Sequence, residues 1–211
     1  MEITIIGTGN MARGIGTRAV AGGHDVTLLG TEQAHAEDLA GELGGASVKA
    51  GTVGDPIAGD VVVLAVWYPV SREVVERYGD QLDGKVVVDI TNPLDTDAFE
   101  PIVPDAGSGA QEVAAAAPNA KVVKAFNTTF AGTLAGGGNV AGQPLDVFIA
   151  SDDENAKRTV AQLVEDGGLR AVDAGPLRRA RELEALGYLH MGVQEPLGTG
   201  FSSAVKVVSE S

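Results

Sequence analysis

The chain has 211 residues, with 29 acidic against 15 basic side chains, a formal net charge of −14 and no cysteine. The length predicts one domain or one domain with a small annex, and the acidic balance argues against nucleic acid and membranes as partners. The lack of cysteine excludes disulfides, thiolate zinc sites and a cysteine nucleophile. No apolar run approaches the roughly 20 residues of a membrane span, so we expect a soluble, cytoplasmic α/β protein.

The first part of the chain alternates between short β-branched runs and helix-compatible segments. This pattern predicts strands over 1–6, 26–29 and 47–50, and helices over 11–21 and 32–43. Glycine pairs at 22–23 and 44–45 are typical of helix ends, so they support both helix assignments.

The same alternation continues almost to the C-terminus. Strands are predicted over 60–66, 85–90, 121–125, 146–150 and 169–172, and helices over 69–82, 111–117, 154–164 and 176–191. Segment 91–109 is predicted as a loop because it contains three prolines, and 132–142 as a glycine-rich loop. The order predicts an α/β fold with a doubly wound, mostly parallel sheet over 1–150 and a small C-terminal α/β portion over 151–211.

A glycine-rich turn directly follows the first predicted strand. Residues 7–12 read Gly-Thr-Gly-Asn-Met-Ala, which matches the Gly-x-Gly-x-x-Ala pattern of dinucleotide-binding Rossmann folds. Gly7 permits the tight turn, Gly9 lets the backbone approach a pyrophosphate, and Ala12 keeps the helix close to the strand. With Thr8, Asn10 and Met11, these residues predict an anion site at the start of the first helix.

The residues alone leave the choice between NAD and NADP open. Thr31 follows the second predicted strand and suits either a ribose hydroxyl or its phosphate. Glu32 would repel a phosphate if it faces the ribose, and it is equally suited to the first turn of the next helix. Arg13 is the nearest cation in sequence, and its alternative role is that of a solvated helix side chain.

Polar and aromatic side chains follow three other predicted strands. Ligands bind outside the carboxyl ends of strands in open α/β sheets, so these residues are candidates for one common site. The candidates are Val66, Trp67 and Tyr68 after one strand, Asn92 and Pro93 after the next, and Phe126 and Asn127 after a third. Trp67 is the only tryptophan, and its ring suits stacking against a planar group.

No acid–base constellation can be identified in the sequence. The three histidines lack the spacing of metal ligands, so no metal site is predicted, and neither a nucleophile elbow nor a phosphate loop is present. His190, in the last helix, and Tyr68 are the only weak candidates for a catalytic proton donor. A lone histidine in such a helix more often packs or faces solvent.

Five sequence blocks resemble those of the NADP oxidoreductase family that depends on coenzyme F420, a deazaflavin. The blocks are GTGNMA at 7–12, VVDITNPL at 87–94, KVVKAFNT at 121–128, VDAGPL at 172–177 and ARELE at 180–184. They also occur in metalloreductases that pass electrons from NADPH to a flavin, so the blocks mark a superfamily rather than one substrate.

The resemblance implies direct hydride exchange between NADP and a deazaflavin or flavin, with the two rings stacked beside the C-terminal portion. It implies that Thr8, Gly9, Asn10 and Met11 hold the pyrophosphate and that Thr31 holds the adenosine ribose or its phosphate. It also implies that Val66, Trp67 and Tyr68 flank the nicotinamide nucleotide, and that Asn92, Pro93, Phe126 and Asn127 surround the ring junction. Segment 198–201, with Lys206, resembles the family's closing segment.

Two other functions remain open at this stage. One is an NAD(P)H-dependent reductase of a small imine or carbonyl compound, with Tyr68 or His190 as proton donor. The other is a non-catalytic redox-sensing module that binds NAD(P) and signals through a partner. We expect small-molecule coenzymes as ligands and a homodimer in which the last helix contributes contacts.

Overall fold

The structure, a computed structural model, describes residues 1–95 and 97–209. A central sheet of eight strands in this part of the chain has the order β12-β11-β8-β5-β4-β1-β2-β3. The strands in chain order are β1 (Glu2–Ile6), β2 (Asp25–Gly30), β3 (Val48–Thr52), β4 (Val61–Leu64), β5 (Val86–Asp89), β6 (Leu94–Asp95), β7 (Glu100–Pro101), β8 (Lys121–Lys124), β9 (Asn139–Val140), β10 (Gln143–Pro144), β11 (Asp146–Ser151) and β12 (Arg170–Gly175).

Helices cover both faces of this sheet. They are α1 (Asn10–Ala21), α2 (Gln33–Leu43), α3 (Tyr68–Tyr78), α4 (Gly109–Ala116), α5 (Ala131–Ala135), α6 (Glu154–Asp166), α7 (Ala180–Gly192) and α8 (Gln194–Leu197). Every residue of the valine-rich strands β4 and β5 is buried, and two separate apolar clusters lie on the two sides of the sheet. The prediction of a doubly wound, mostly parallel sheet is therefore confirmed.

The strand order reverses beside β1, which pairs in parallel with β2 on one side and β4 on the other. Ile5 lies opposite Leu28 in one neighbour and Val63 in the other. At such a reversal the connecting helices leave in opposite directions, which opens a crevice at the carboxyl ends of the strands. The fold therefore places this crevice at the same end of the sheet as the glycine turn.

One strand pairing departs from the parallel pattern. β11 pairs in parallel with β12 but runs antiparallel to β8. Its six residues are all buried, so it belongs to the interior of the sheet. The division of the chain near residue 150 stays a prediction, since β11 spans that position.

Segment 132–142, predicted as a glycine-rich loop, instead contains most of α5 and part of the β9–β10 hairpin. Helix α5 packs on α1 at Gly14, where an added Cβ would lie 2.9 Å from the Leu134 Cβ. This loop prediction was wrong because the segment packs a short helix against α1, and because Gly142, with a φ of +76°, serves the tight turn of the β9–β10 hairpin rather than a flexible connection.

The predicted loop over 91–109 also contains a short antiparallel pair, β6 with β7. Residue 96, within that prediction, lies outside the described residues. The helix predicted over 69–82 ends at Tyr78, where a 3₁₀ turn over Gly79–Leu82 replaces its last part. No helix in the described ranges is long and apolar enough to cross a membrane.

Candidate functional site

A cavity of about 340 Å³ lies at the carboxyl ends of β1, β4, β5 and β8. It is lined by Gly9, Asn10, Met11, Ala65, Val66, Trp67, Tyr68, Ile90, Thr91, Asn92, Leu94, Asn127, Thr129, Phe130, Ala131, Met191 and Phe201. The loops after four separate strands therefore converge on one site, as the sequence predicts.

The glycine turn forms one end of this cavity. Gly7 has a φ of +116°, and an added Cβ would lie 2.2 Å from the Ala65 carbonyl oxygen. Gly9 precedes α1, and an added Cβ there would meet no atom within 4 Å. No side chain caps α1 and no acidic residue lies in its first turn, so the backbone N–H groups remain available to an anion.

The candidate residues from the sequence divide into two groups. Gly9, Asn10, Met11, Val66, Trp67, Tyr68, Asn92 and Asn127 line the cavity. Gly7, Thr8, Arg13, Thr31, Glu32, Pro93, Phe126 and His190 do not line it. The second group contains every residue proposed for the adenosine ribose, which would lie beyond the glycine turn at the end of β2.

Thr31 and Glu32 follow β2 and are both exposed. Glu32 precedes α2, and its side chain makes no capping hydrogen bond. Its carboxylate therefore faces solvent near the end of β2, where a ribose phosphate would be placed in a Rossmann fold.

Arg13 is engaged by neighbouring side chains. Its Nε and Nη2 donate to the two carboxylate oxygens of Glu42 at 2.7 and 3.3 Å. Its Nη1 donates to Asn10 Oδ1 at 3.0 Å. The hydrogen bond from Arg13 to Glu42 raises the pKa of Arg13.

Trp67 precedes α3 and Tyr68 is its first residue, and both line the cavity. Trp67 is 72% exposed, so its ring is available for stacking. The Tyr68 hydroxyl donates to the Glu112 carboxylate at 2.8 Å, which joins α3 to α4. Burial, with the Glu112 hydrogen bond, raises the pKa of Tyr68 to about 12. Tyr68 is thus a poor proton donor near neutral pH.

A strained turn after β8 places Asn127 beside the cavity. Phe126 has a φ of +60°, a conformation that costs a non-glycine residue about 1–2 kcal/mol. Asn127 Nδ2 donates to Asn92 Oδ1 at 2.9 Å and to the Leu183 carbonyl at 2.7 Å. Both partners are acceptors, so the orientation of this amide is fixed, and its Oδ1 is left buried without a partner in the described chain.

Helix α7 leaves no space beside this asparagine pair. An added Cβ at Gly187 would lie 2.7 Å from Asn92 Oδ1 and 3.0 Å from the Asn127 carbonyl oxygen. Asn92 Nδ2 in turn donates to that same carbonyl at 2.9 Å. The two amides are therefore held between β5, β8 and α7.

His190 is buried below the cavity wall rather than exposed in the cavity. Its Nδ1 lies 3.1 Å from the Thr128 carbonyl oxygen, so Nδ1 carries the proton, and its Nε2 lies 2.9 Å from Ser203 Oγ. Phe130 stacks on the ring with centroids 4.3 Å apart. His190 thus ties the C-terminal segment, including the cavity residue Phe201, to the loop after β8.

The His190→Asn variant is expected to lose less stability on acidification than the parent. Burial lowers the pKa of His190 below its usual value of 6.5, so the unfolded chain binds a proton first as the pH falls. The parent should therefore lose stability progressively as the pH drops below about 6.5. Urea unfolding between pH 7.5 and 5 measures this, and parallel curves for the two proteins would contradict it.

A buried ionic cluster beneath the cavity was not predicted from the sequence. Lys124, at the end of β8, is fully buried, and its Nζ lies 2.7 Å from both Asp89 Oδ2 and Glu184 Oε1. It also donates to the Thr91 carbonyl on the cavity floor. Burial raises the pKa of Glu184, which also accepts from the Gly109 N–H at the start of α4.

The C-terminal segment has two separate roles. Phe201 meets Phe130 edge to face at 5.1 Å and completes the cavity wall. Lys206, which the sequence associates with the same closing segment, instead binds Asp146 Oδ1 at 2.8 Å. Asp146 Oδ2 also accepts the Val207 N–H at 2.9 Å, so Asp146 anchors the end of the described chain.

Comparison with known proteins shows that this chain is similar to a group of redox enzymes. The model of the family "NADP oxidoreductase coenzyme F420-dependent" matches residues 2–93. The F420-dependent NADP reductase of Methanothermobacter thermautotrophicus is 31% identical over 204 residues, which cover 88% of this chain and 86% of that protein. A crystal structure of an Arthrobacter sp. FB24 protein, provisionally named an F420-dependent NADP reductase, has 27% identity and a TM-score of 0.86, covering 98% of this chain and 99% of that one.

The rat (Rattus norvegicus) protein named metalloreductase STEAP3 is 30% identical over 88% of this chain. The match spans only 36% of the rat protein's own length. Imine reductases from several bacteria have TM-scores of 0.63 to 0.66 at 16–20% identity, a level that shows a shared fold and nothing further.

Proposed function

Because the chain belongs to the F420-dependent NADP oxidoreductase family, we propose that it passes a hydride directly between the nicotinamide of NADPH and a deazaflavin or flavin coenzyme. The chain is an NADP-dependent oxidoreductase. The observation that best supports direct hydride transfer is the composition of the cavity. It joins an uncapped helix end to the Asn92–Asn127 amide pair and an apolar wall, and both candidate proton donors are engaged in other hydrogen bonds.

The residues present fit a nicotinamide dinucleotide. The N–H groups at the start of α1 and the open space beside Gly9 suit the pyrophosphate. The unpartnered Asn127 Oδ1, next to the cavity, suits an N–H donor such as a nicotinamide carboxamide. Asn92 holds the Asn127 amide in place, so the ring would be oriented by a preorganised acceptor.

Hydride transfer between two stacked rings requires alignment and the exclusion of water more than it requires acid–base groups. When bound, the two coenzymes supply this chemistry: NADPH gives a hydride, the deazaflavin takes it, and solvent provides one proton. The apolar side chains of Phe130, Met191 and Phe201 line the cavity and would limit the access of water.

The hydrogen bonds made by the two candidate proton donors weigh against the reduction of an imine or carbonyl compound. Such a reaction would draw a proton from Tyr68 or His190, yet Tyr68 donates to Glu112 and both ring nitrogens of His190 are bonded.

Glu32→Arg is expected to raise the NADPH-to-NADH ratio of kcat/KM by about tenfold, equivalent to about 1.4 kcal/mol. The substitution replaces an exposed carboxylate by a cation near the predicted ribose phosphate. Steady-state kinetics with both dinucleotides measure the ratio. Asp38→Arg makes the same charge change farther along α2 and should leave the ratio unchanged. An unchanged ratio in Glu32→Arg would show that this side chain points away from the ribose.

The proposed function is tested by mixing the protein with NADPH and oxidised F420 and following the visible absorbance of the deazaflavin. We expect the absorbance to fall with turnover, and riboflavin or FMN in place of F420 tests the flavin alternative. Tight binding of NADPH without turnover of any of these partners would overturn the reductase proposal in favour of a sensor.

We also propose that the chain acts as a cytoplasmic homodimer with contacts from the last helices. Leu189 on α7 and Leu197 on α8 are 60% and 65% exposed, which supports an apolar contact on that side. Light scattering coupled to gel filtration measures the mass, and a monomer at micromolar concentration would contradict the dimer.

A further inference from the structure

Building on the proposed function, we propose that Glu42 is a positioning residue for the phosphates of the dinucleotide. Glu42 lies near the end of α2, is absent from the cavity lining and is 53% exposed. It acts through Arg13, which in turn orients the side chain of Asn10 at the start of α1.

The contacts use all three guanidinium nitrogens of Arg13. Two of them, Nε and Nη2, bind the two oxygens of Glu42, which fixes the plane of the Arg13 side chain. The third, Nη1, is then directed at Asn10 Oδ1, 3.0 Å away. Without Glu42, Arg13 would be a mobile side chain on the surface of α1.

The bond from Arg13 decides which way the Asn10 amide faces. A guanidinium only donates hydrogen bonds, so it selects Oδ1 of the amide and turns Nδ2 away from Arg13. Asn10 Nδ2 makes no hydrogen bond to another side chain or backbone group of the described chain, and Asn10 itself lines the cavity. The Nδ2 protons therefore add side-chain donors to the backbone N–H groups of the same helix end.

An alternative role for Arg13 predicts the opposite effect of removing Glu42 on the binding of NADPH. If Arg13 binds the phosphate on the adenosine ribose directly, Glu42 competes with that phosphate for the guanidinium. Removal of Glu42 would then strengthen the binding of NADPH and leave NADH unchanged. If Glu42 instead orients Asn10, its removal weakens both dinucleotides equally, because both carry the same pyrophosphate.

The experiment measures the dissociation constants of NADPH and NADH by titration calorimetry, with no second coenzyme present. We expect Glu42→Ala to raise both constants by about fivefold and Asn10→Ala to raise both by about tenfold, which is within the range for the net loss of one hydrogen bond. The double variant should bind no more weakly than Asn10→Ala alone, because Glu42 acts only through Asn10.

Glu76→Ala is the matched control, since it removes an exposed Arg72–Glu76 pair with the same 2.7 Å separation, on α3. It should bind both dinucleotides as the parent does. If the parent binds both dinucleotides, three results would overturn this inference. They are tighter NADPH binding by Glu42→Ala, unchanged binding by Glu42→Ala, and additive losses of affinity in the double variant. A parent protein that binds neither dinucleotide would overturn the proposed function itself.

Discussion

Gly9→Val is expected to weaken the binding of NADPH and NADH by at least about a hundredfold while the protein stays folded. An added Cβ at Gly9 would meet no protein atom within 4 Å, so the apo fold has room for the new side chain. Under the proposed function, a pyrophosphate approaches the N–H groups at the start of α1 through the same open space, which the valine methyl groups would occupy.

Calorimetric titration with each dinucleotide measures the loss of binding. A thermal melt of the apo protein checks that the variant stays folded. Gly41→Val is the matched control, since Gly41 also has no atom within 4 Å of an added Cβ and lies on the exposed face of α2. If Gly9→Val keeps its affinity for the dinucleotides, the pyrophosphate does not bind at this turn. Gly7 cannot serve in this test, because its left-handed φ and its contact with Ala65 make any side chain disruptive to the fold.

Lys124→Met is expected to lower the free energy of unfolding by about 3–5 kcal/mol. Lys124 is the only cation of its buried cluster, so the substitution leaves the carboxylates of Asp89 and Glu184 without a compensating charge. Removal of one partner from a buried ionic cluster costs more than the cluster contributes, because the remaining charges stay desolvated. Urea unfolding at pH 7 measures the loss.

Two comparisons separate charge from packing in this experiment. Lys49→Met removes an exposed lysine on β3 and should change stability by less than about 0.5 kcal/mol. The variant Lys124→Met with Glu184→Gln and Asp89→Asn should recover part of the loss, because no buried charge is left. A Lys124→Met protein as stable as the parent would show that the cluster does not depend on its cation.

The sequence predicts those parts of the site that depend on local patterns. The glycine turn is contiguous, and its chemistry depends on the strand before it and the helix after it, both visible as apolar periodicity. The convergence of Trp67, Asn92 and Asn127 follows from a general property of parallel sheets and needs only the strand ends to be located.

The remaining parts depend on contacts between distant segments. Lys124 and Glu184 lie 60 positions apart, and each looks like an ordinary surface charge until α7 is placed against the end of β8. Asp89 carried one signal, since it ends the strand β5, whose other three residues are valines. The hydrogen bond from Tyr68 to Glu112 likewise could not be predicted from the sequence, because it depends on the packing of α3 against α4.

The fate of deuterium at C4 of the nicotinamide tests direct ring-to-ring transfer. NADPH labelled on one face of C4, and separately on the other, is incubated with the protein and oxidised F420 in ordinary water, and the reduced deazaflavin is analysed by mass spectrometry and NMR. Direct transfer predicts one deuterium at C5 of the product from one of the two labelled cofactors and none from the other. Loss of the label to solvent from both cofactors, with turnover proceeding, would contradict it.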